Sequence, residues 1–292
     1  MNEFELIDEI LSVLGETARG GVIDPGDDCA AILPPEGELL TSSIDTLIGA
    51  VHFPDDAPGQ LVGYRSMMVS VSDLAAMGAR PLQLLVALTL EEKDKGWALD
   101  VAAGMASAVA ETGGAILGGN LARGPRSITI SVHGSVPEDQ VLRRAGASAG
   151  EGVYVTGPLG ASAAAVAAQC LDDLEDPRTH RYFHPQARVA AGISLRGQAS
   201  SCIDVSDGLL QDLGHLCKAS GLGAELVGAD VPLGEGASLE DALNGGDDYE
   251  LLFTAAAPPT GVSATRIGTV VETDGIRLDG EPVAIKGYQH FL

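Results

Sequence analysis

Basic residues are scarce in this chain. Seventeen Lys and Arg stand against 41 Asp and Glu, a formal charge of −24 over 292 residues. Such a field repels nucleic acid and anionic membranes, so neither is expected as a partner. Most of the charge reads as a solubilising or salt-adapted surface. The lysines are only Lys93, Lys95, Lys218 and Lys286, so any bound phosphate needs divalent cations to neutralise it. No apolar run reaches the roughly 18 residues of a membrane span. The N-terminal stretch is acidic and amphipathic, with Leu6, Ile7, Ile10, Leu11 and Leu14 on one helical face, which is not the pattern of a signal peptide. Cys29, Cys170, Cys202 and Cys217 form no CxxC pair. A reduced, cytoplasmic protein without thiolate-bound metal is expected. Aromatics make up only 4% of residues, while 38 are glycine, which favours tightly packed small side chains and many turns. GxxxxGK[ST], a strand-linked GxGxxG, protein-kinase signatures and HExxH are also missing, which excludes the P-loop, dinucleotide, kinase-fold and zincin readings.

What is present alternates between strand and helix, the mark of an α/β class. "ELLTSSID", "PLQLLVALTL", "AILGGN" and "ITISVHGSV" read as strands, the last two on either side of a glycine-rich turn. "GQLVGYRSMMVSVSDLAAMGA" reads as a helix running into a short apolar stretch that ends in Asp. "KGWALDVAAGMASAVAETGG" is a helix stopped by glycines. "AGASAGEG" shifts composition and marks a boundary, giving domains 1–147 and 148–292. Beyond it, "GVYVTG", "SCIDVSD", "GAELVGADV", "DYELLFTAA" and "ATRIGTVV" read as strands. "GASAAAVAAQCL", "PQARVAAGISLRG" and "GLLQDLGHLCKASG" read as helices.

The acids fall in a pattern. Asp45, Asp73, Asp204 and Asp207 are predicted where apolar strands run out, and Asp27 and Asp28 sit in a glycine turn. Ligands gather at strand ends in open α/β structures. Carboxylates converging from separate elements need cations to stay ionised, and Mg²⁺ with oxygen ligands is the usual solution. Any single Asp is more simply a cap, Asp207 before "GLLQDL" or Asp73 before "LAAMGA"; the set as a whole favours a metal site. "GGNLARG" and "TGPLGAS" are glycine turns whose N–H groups suit an anion, each a weak signal alone. His180 and His184 are four apart but followed by Pro185, and read as loop or helix-entry residues rather than zinc ligands. His52 follows Asp45 closely; cleft residue and ordinary loop histidine remain equally open.

In their order and spacing, "PGDDCAAIL", "SIDTLIGAVHF", "VSVSDLAAMGARP", "LGGNLARGPRSITISVHG", "LRRAGASAGEGVYVTGPLGASAA", "IDVSDGLLQDLGHLCKASGLGAEL", "GGDDYELLFT" and "KGYQHF" resemble the thiamine-monophosphate kinase family. That family sits in the superfamily of aminoimidazole ribonucleotide synthetase-like ATP-dependent enzymes. The resemblance implies the two-domain fold of that superfamily, with the N-terminal domain dimerising through its sheet into a homodimer. It implies Mg²⁺-dependent, in-line transfer of the ATP γ-phosphate to thiamine monophosphate, giving ADP and thiamine diphosphate.

Carried over position by position, the resemblance implies several magnesium ions. Their ligands would be Asp28, Ser43, Asp45, Asp73, Asn120, Asp204 and Asp207, with Asp207 catalytic. It implies ATP contacts at Asp28, Gly119, Asn120, Arg144 and Ser206, and substrate contacts at His52, Asp247 and Ile285. Two positions depart from the family pattern: Asn120 stands where Asp is usual, and Ile285 where an aromatic is common. Rival readings are a sister ATP-dependent enzyme of the superfamily and a catalytically silent acidic metal-binding protein.

Overall fold

The computed structural model describes residues 3–26 and 28–287. The chain forms two compact units: one takes the chain up to Leu74 with Ala79–Glu138, the other Ala75–Gly78 with Asp139 onward. Each has its own sheet. The α/β class read from the alternation holds throughout.

The first unit begins with α1 (Glu3–Leu14), which buries Leu6 and Leu14. Its sheet contains β1 (Glu38–Ile48), β2 (Arg80–Leu90), β3 (Ala115–Arg123) and β4 (Ser127–Pro137), in the order β1-β4-β2-β3. Helix α3 (Lys95–Thr112) and helix α2 (Gly59–Ala76) as far as Leu74 belong to the same unit. A Cβ on Gly63 would collide with the Val101 carbonyl, and one on Gly104 with the Gln60 carbonyl. These glycines let the two helix backbones touch. Strand period two then sorts the sheet. Ile128, Ile130 and Val132 of β4 are fully buried, whereas the alternate residues Ser127, Thr129, Ser131 and His133 are not. They pair with Ile48, Thr46, Ile44 and Ser42 of β1, so one broad sheet face of this unit is open.

Two expectations are corrected here. β1 does not stop at Asp45 but runs three residues further, so Asp45 lies within a strand. Asp73 ends no strand either: α2 continues to Ala76, and Asp73 occupies its last turn. Periodicity misled because "MMVSVSD" is apolar enough for a strand, and burial of Met67, Met68 and Val71 on a helix produces the same composition. The glycine turn also moves. Gly118, Gly119 and Asn120 lie inside β3, and the reversal comes at 124–126. A Cβ on Gly119 would strike the Val86 carbonyl of the neighbouring strand, next to a register shift at Leu84/Leu85. That glycine is demanded by strand packing.

The second unit is built on a seven-stranded sheet, β11-β10-β7-β9-β5-β8-β6. Its strands include β5 (Gly152–Val155), β7 (Gly223–Leu226), β8 (Leu251–Ala255) and β9 (Thr265–Val271), with β6 (Ser201–Asp204) at one edge. β10 (Ile276–Leu278) and β11 (Glu281–Pro282) complete the other edge. The helices are α4 (Ala161–Ala167), α5 (Pro177–Phe183), α6 (Val189–Leu195), α7 (Leu209–Ser220) and α8 (Leu239–Asn244). Leu209, Leu210, Leu213 and Leu216 of α7 pack with Val153, Ile203, Leu252 and Ile267 in one core. α5 and α8 escaped the sequence reading, although each opens on a cap: Asp176 before Pro177, and Ser238 with Asp241. No described helix is long and apolar enough to cross a membrane.

Candidate active site

In the first unit, β1 and the end of α2 bring two carboxylates together. The Ser43 hydroxyl donates to Asp73 Oδ2 at 2.5 Å. Burial, with the Asp73 charge adding to it, pushes Asp45 up to about 6, and a Ser70 hydrogen bond only partly offsets this. Neither acid forms an ion pair with Lys or Arg among the described residues. Two adjacent acids, a hydroxyl and no organic cation form a hard-oxygen donor set that fits Mg²⁺. Asp28 sits in an exposed loop closed by the Ile23–Ala31 bridge; Asp27 lies outside the described residues.

Asn120 is elsewhere. It pairs with Ala87, which pairs with Thr129, which pairs with Thr46. That row lies on the open face, whereas Asp45 shares its row with Ile130 and Val86 on the other face. One copy of the sheet therefore does not bring Asn120 to Asp45 and Asp73. Gly119 is held by strand packing, as above.

His52 lies just beyond β1. Its backbone N–H donates to the Ile48 carbonyl at 2.8 Å, and the Ile48 N–H donates to His52 Nδ1 at 3.0 Å. A backbone N–H can only donate, so Nδ1 is unprotonated and the ring proton rides on Nε2.

In the second unit, the turn from β6 into α7 is the focus. Asp204 is buried at the last position of β6, as the strand-end reading predicted. Asp207 does not cap α7. The capping work falls to Asp212, one turn into the helix, whose Oδ2 accepts from the N–H groups of Ser206, Asp207 and Gly208 at 3.0, 3.1 and 3.2 Å. Burial pushes Asp212 up to about 7 against these three bonds, with the Asp207 charge adding to the rise. Asp207 is left to accept from Gln211 Nε2 at 2.8 Å. Oxygens of Asp207 and Asp212 and a ring nitrogen of His215 lie within 4.8 Å of one another. Asp212 and His215 escaped the sequence reading. Their one signal was the i, i+3 spacing on a helix that opens next to Asp207.

The far end of the chain returns to this turn. Asp247, with φ of 66°, donates its N–H to the Ser206 carbonyl at 2.9 Å and accepts at Oδ1 from the Tyr249 hydroxyl at 2.7 Å. A Cβ on Gly214 would meet Ile285 Cδ1 at 2.9 Å, and one on Gly287 would meet the Asp207 carbonyl at 2.8 Å. The segment carrying Ile285 thus lies along α7, ending over Asp207. Ser206, Asp207 and Asp247 are gathered around one turn, which Gly287 also reaches, while Ile285 lies against Gly214 further along α7. Tyr288 lies outside the described residues.

The neighbouring acids have structural work. Asp248 is buried and accepts the Gly160 N–H at 2.8 Å, so the "TGPLG" turn already holds a carboxyl group of its own. Glu250, fully buried, accepts from Arg181 at 2.7 Å, Arg188 at 2.6 and 2.7 Å, and the Thr156 hydroxyl at 2.6 Å. Arg144 is exposed on a loop whose Gly146 and Ala147 N–H groups reach the Ser220 hydroxyl. His180 lies on α5 and His184 at its C-cap, their rings stacked at 4.3 Å.

Residues 26–136 match the family model "AIR synthase related protein, N-terminal domain", and residues 148–281 match its C-terminal counterpart. The chain is 40% identical to the thiamine-monophosphate kinase of Salmonella typhimurium, covering 91% of each. The crystal structure of the thiamine-monophosphate kinase from Stenotrophomonas maltophilia K279a superposes with TM-score 0.86 at 34% identity, covering 97% of this chain and 98% of that one. A solved structure named AaThiL complexed with AMPPCP and TMP superposes with TM-score 0.82 at 29% identity, covering 99% and 97%.

Proposed function

The chain belongs to the thiamine-monophosphate kinase family, and from that premise we propose how its residues carry the reaction. The enzyme transfers the γ-phosphate of ATP to thiamine monophosphate, giving ADP and thiamine diphosphate. The observation that carries the residue-level reading is the convergence of Ser206, Asp207 and Asp247 on the β6–α7 turn, with the segment carrying Ile285 laid along α7 and reaching that turn at Gly287.

Phosphoryl transfer asks for positioning and charge neutralisation more than covalent chemistry. Asp45, Asp73 and Ser43 in the first unit, and Asp207 and Asp204 in the second, are the oxygen donors for Mg²⁺, with Asp28 a further donor. When bound, Mg²⁺ supplies the positive charge that phosphate oxygens require in a chain of −24. Asp207 is the catalytic carboxylate of the second unit; Gln211 orients it and Asp212 fixes its backbone. The Ser206 hydroxyl and Arg144 serve nucleotide phosphate. His52 offers its Nε2–H to a substrate phosphate oxygen. Asp247 gives the cationic thiazolium a counter-charge, and Ile285 gives the ring an apolar contact. Residues 1–147 serve as the ATP- and Mg²⁺-binding, dimer-forming domain and 148–292 as its C-terminal partner, in a cytoplasmic enzyme.

The homodimer reading is supported by the open sheet face, where Leu40, Ile44 and Ile48 are 53, 65 and 42% exposed. Apolar residues on a uncovered sheet call for a partner. Ile44→Arg should then yield a monomer in light scattering. The activity is tested directly by incubating the protein with Mg-ATP and thiamine monophosphate and following ADP and thiamine diphosphate. Absence of both products would sink the assignment.

A further inference from the structure

We propose that Asp94, Arg126 and Trp97 form a clamp that fixes the loop at residues 49–58 and thereby positions His52 for thiamine monophosphate. The inference rests on His52 being a substrate contact, as above.

The three residues come from different elements: Asp94 ends the turn before α3, Trp97 sits in the first turn of α3, and Arg126 ends the β3–β4 reversal. Arg126 holds the loop at two points. Its backbone carbonyl accepts the Gly49 N–H at 3.0 Å, and its guanidinium donates to the Asp55 carbonyl. The guanidinium is itself fixed by Asp94 Oδ1 at 2.6 Å and by the Trp97 ring, 4.6 Å from its centroid. Asp94 is buried, and the Arg126 hydrogen bond holds its carboxyl below the usual carboxylate range. Trp97 holds the loop at two more points. Its ring stacks on Phe53 with centroids 6.2 Å apart, and its Nε1–H donates to the Ala57 carbonyl at 3.1 Å.

His52 lies between these anchors. Phe53 is buried at 2% exposure next to it, and the Phe53 carbonyl accepts the Ala50 N–H at 2.8 Å. Ala50 itself is held at φ of 59°. A four-residue turn with a left-handed alanine is not stable alone; its neighbours over-determine it. Within it the Ile48 N–H selects the Nε2–H form of His52. The clamp thus fixes both where the ring sits and which nitrogen donates. A mispositioned contact residue costs affinity for the substrate it touches, with no effect on a distant co-substrate.

The test uses the full-length enzyme. Arg126→Met should raise KM for thiamine monophosphate about ten-fold, equivalent to about 1.4 kcal/mol, with KM for ATP unchanged. In ¹⁵N-histidine spectra His52 should pass from a fixed Nε2–H form to an averaged one. His52→Ala should raise the same KM, and adding it to Arg126→Met should cost little more. If Arg126→Met does not fold, Trp97→Phe, which keeps a smaller aromatic ring but removes the bond to Ala57 and weakens the contacts to Phe53 and Arg126, should move the same two readouts in the same direction. If His52→Ala raises KM while the clamp variants move neither KM nor the histidine signal, the clamp is refuted and the substrate role of His52 stands. If His52→Ala leaves KM unchanged, the substrate role itself is wrong and the clamp's function falls with it.

Discussion

A single oxygen of Asp212 accepts the backbone N–H groups of Ser206, Asp207 and Gly208, so the carboxylate of one residue sets the backbone of Asp207, five positions earlier. Asp212 is 2% exposed, and removing it leaves three donors without that acceptor. Asp212→Ala should destabilise the protein by about 2–4 kcal/mol, judged from bonds to a charged acceptor. It should also cut kcat beyond any loss of folded protein. Asp212→Asn keeps one acceptor oxygen and should recover part of both losses. Denaturant melts and kcat per folded molecule give the comparison.

Asp207→Asn should separate site from scaffold. Asp207 bears no cap and accepts from Gln211, so the fold should survive. Turnover should fall by about a hundred-fold or more, in the range seen when a charge-stabilising group is removed. Near-normal activity in the variant would return Asp207 to an ordinary turn residue.

Asp45 makes stability depend on pH and on metal. Its carboxyl rises from 3.8 to about 6 on folding, so below about 4 it is protonated in both states and contributes nothing. Between about 4 and 6 the folded state holds the proton more tightly, and stability falls as pH rises. Above 6 the full penalty, at most about 3 kcal/mol, applies. Mg²⁺ favours the charged form and should abolish this slope. Melting curves from pH 4 to 7.5, with chelator and with Mg²⁺, show whether the two series diverge.

Glu250→Gln should damage the fold rather than the chemistry. Glu250 has no exposure and holds both Arg181 and Arg188. Losing its charge leaves two half-buried cations uncompensated, a cost of about 3 kcal/mol. KM values of the remaining folded enzyme should change little. A shift in KM without a shift in melting temperature would contradict the structural role.

Much was legible in the sequence because period and punctuation are local. α3 and α7 are bounded by glycines that the letters show, and β2, β4, β5 and β6 appear where apolar runs lie. Asp204 at a strand end followed from the same logic. Asp73 did not: an apolar run buried on a helix and one buried in a sheet have the same composition, so the last turn of α2 looked like a strand. Asn120 followed a motif, yet its face was set by strand register, which no local pattern encodes.

The stretch "GGDDYELLFT" shows where the division falls. The sequence determined an acid-rich, lysine-poor chain whose motifs name its family and whose chemistry demands cations. Only the tertiary structure decided what each acid does. Asp247 and Asp248 are neighbours in sequence, yet the first lies against the Ser206 turn and the second is buried under Gly160. Successive residues leave the backbone in different directions, so the contacts that fix their roles come from segments some 40 and 90 residues away, and only folding brings those together.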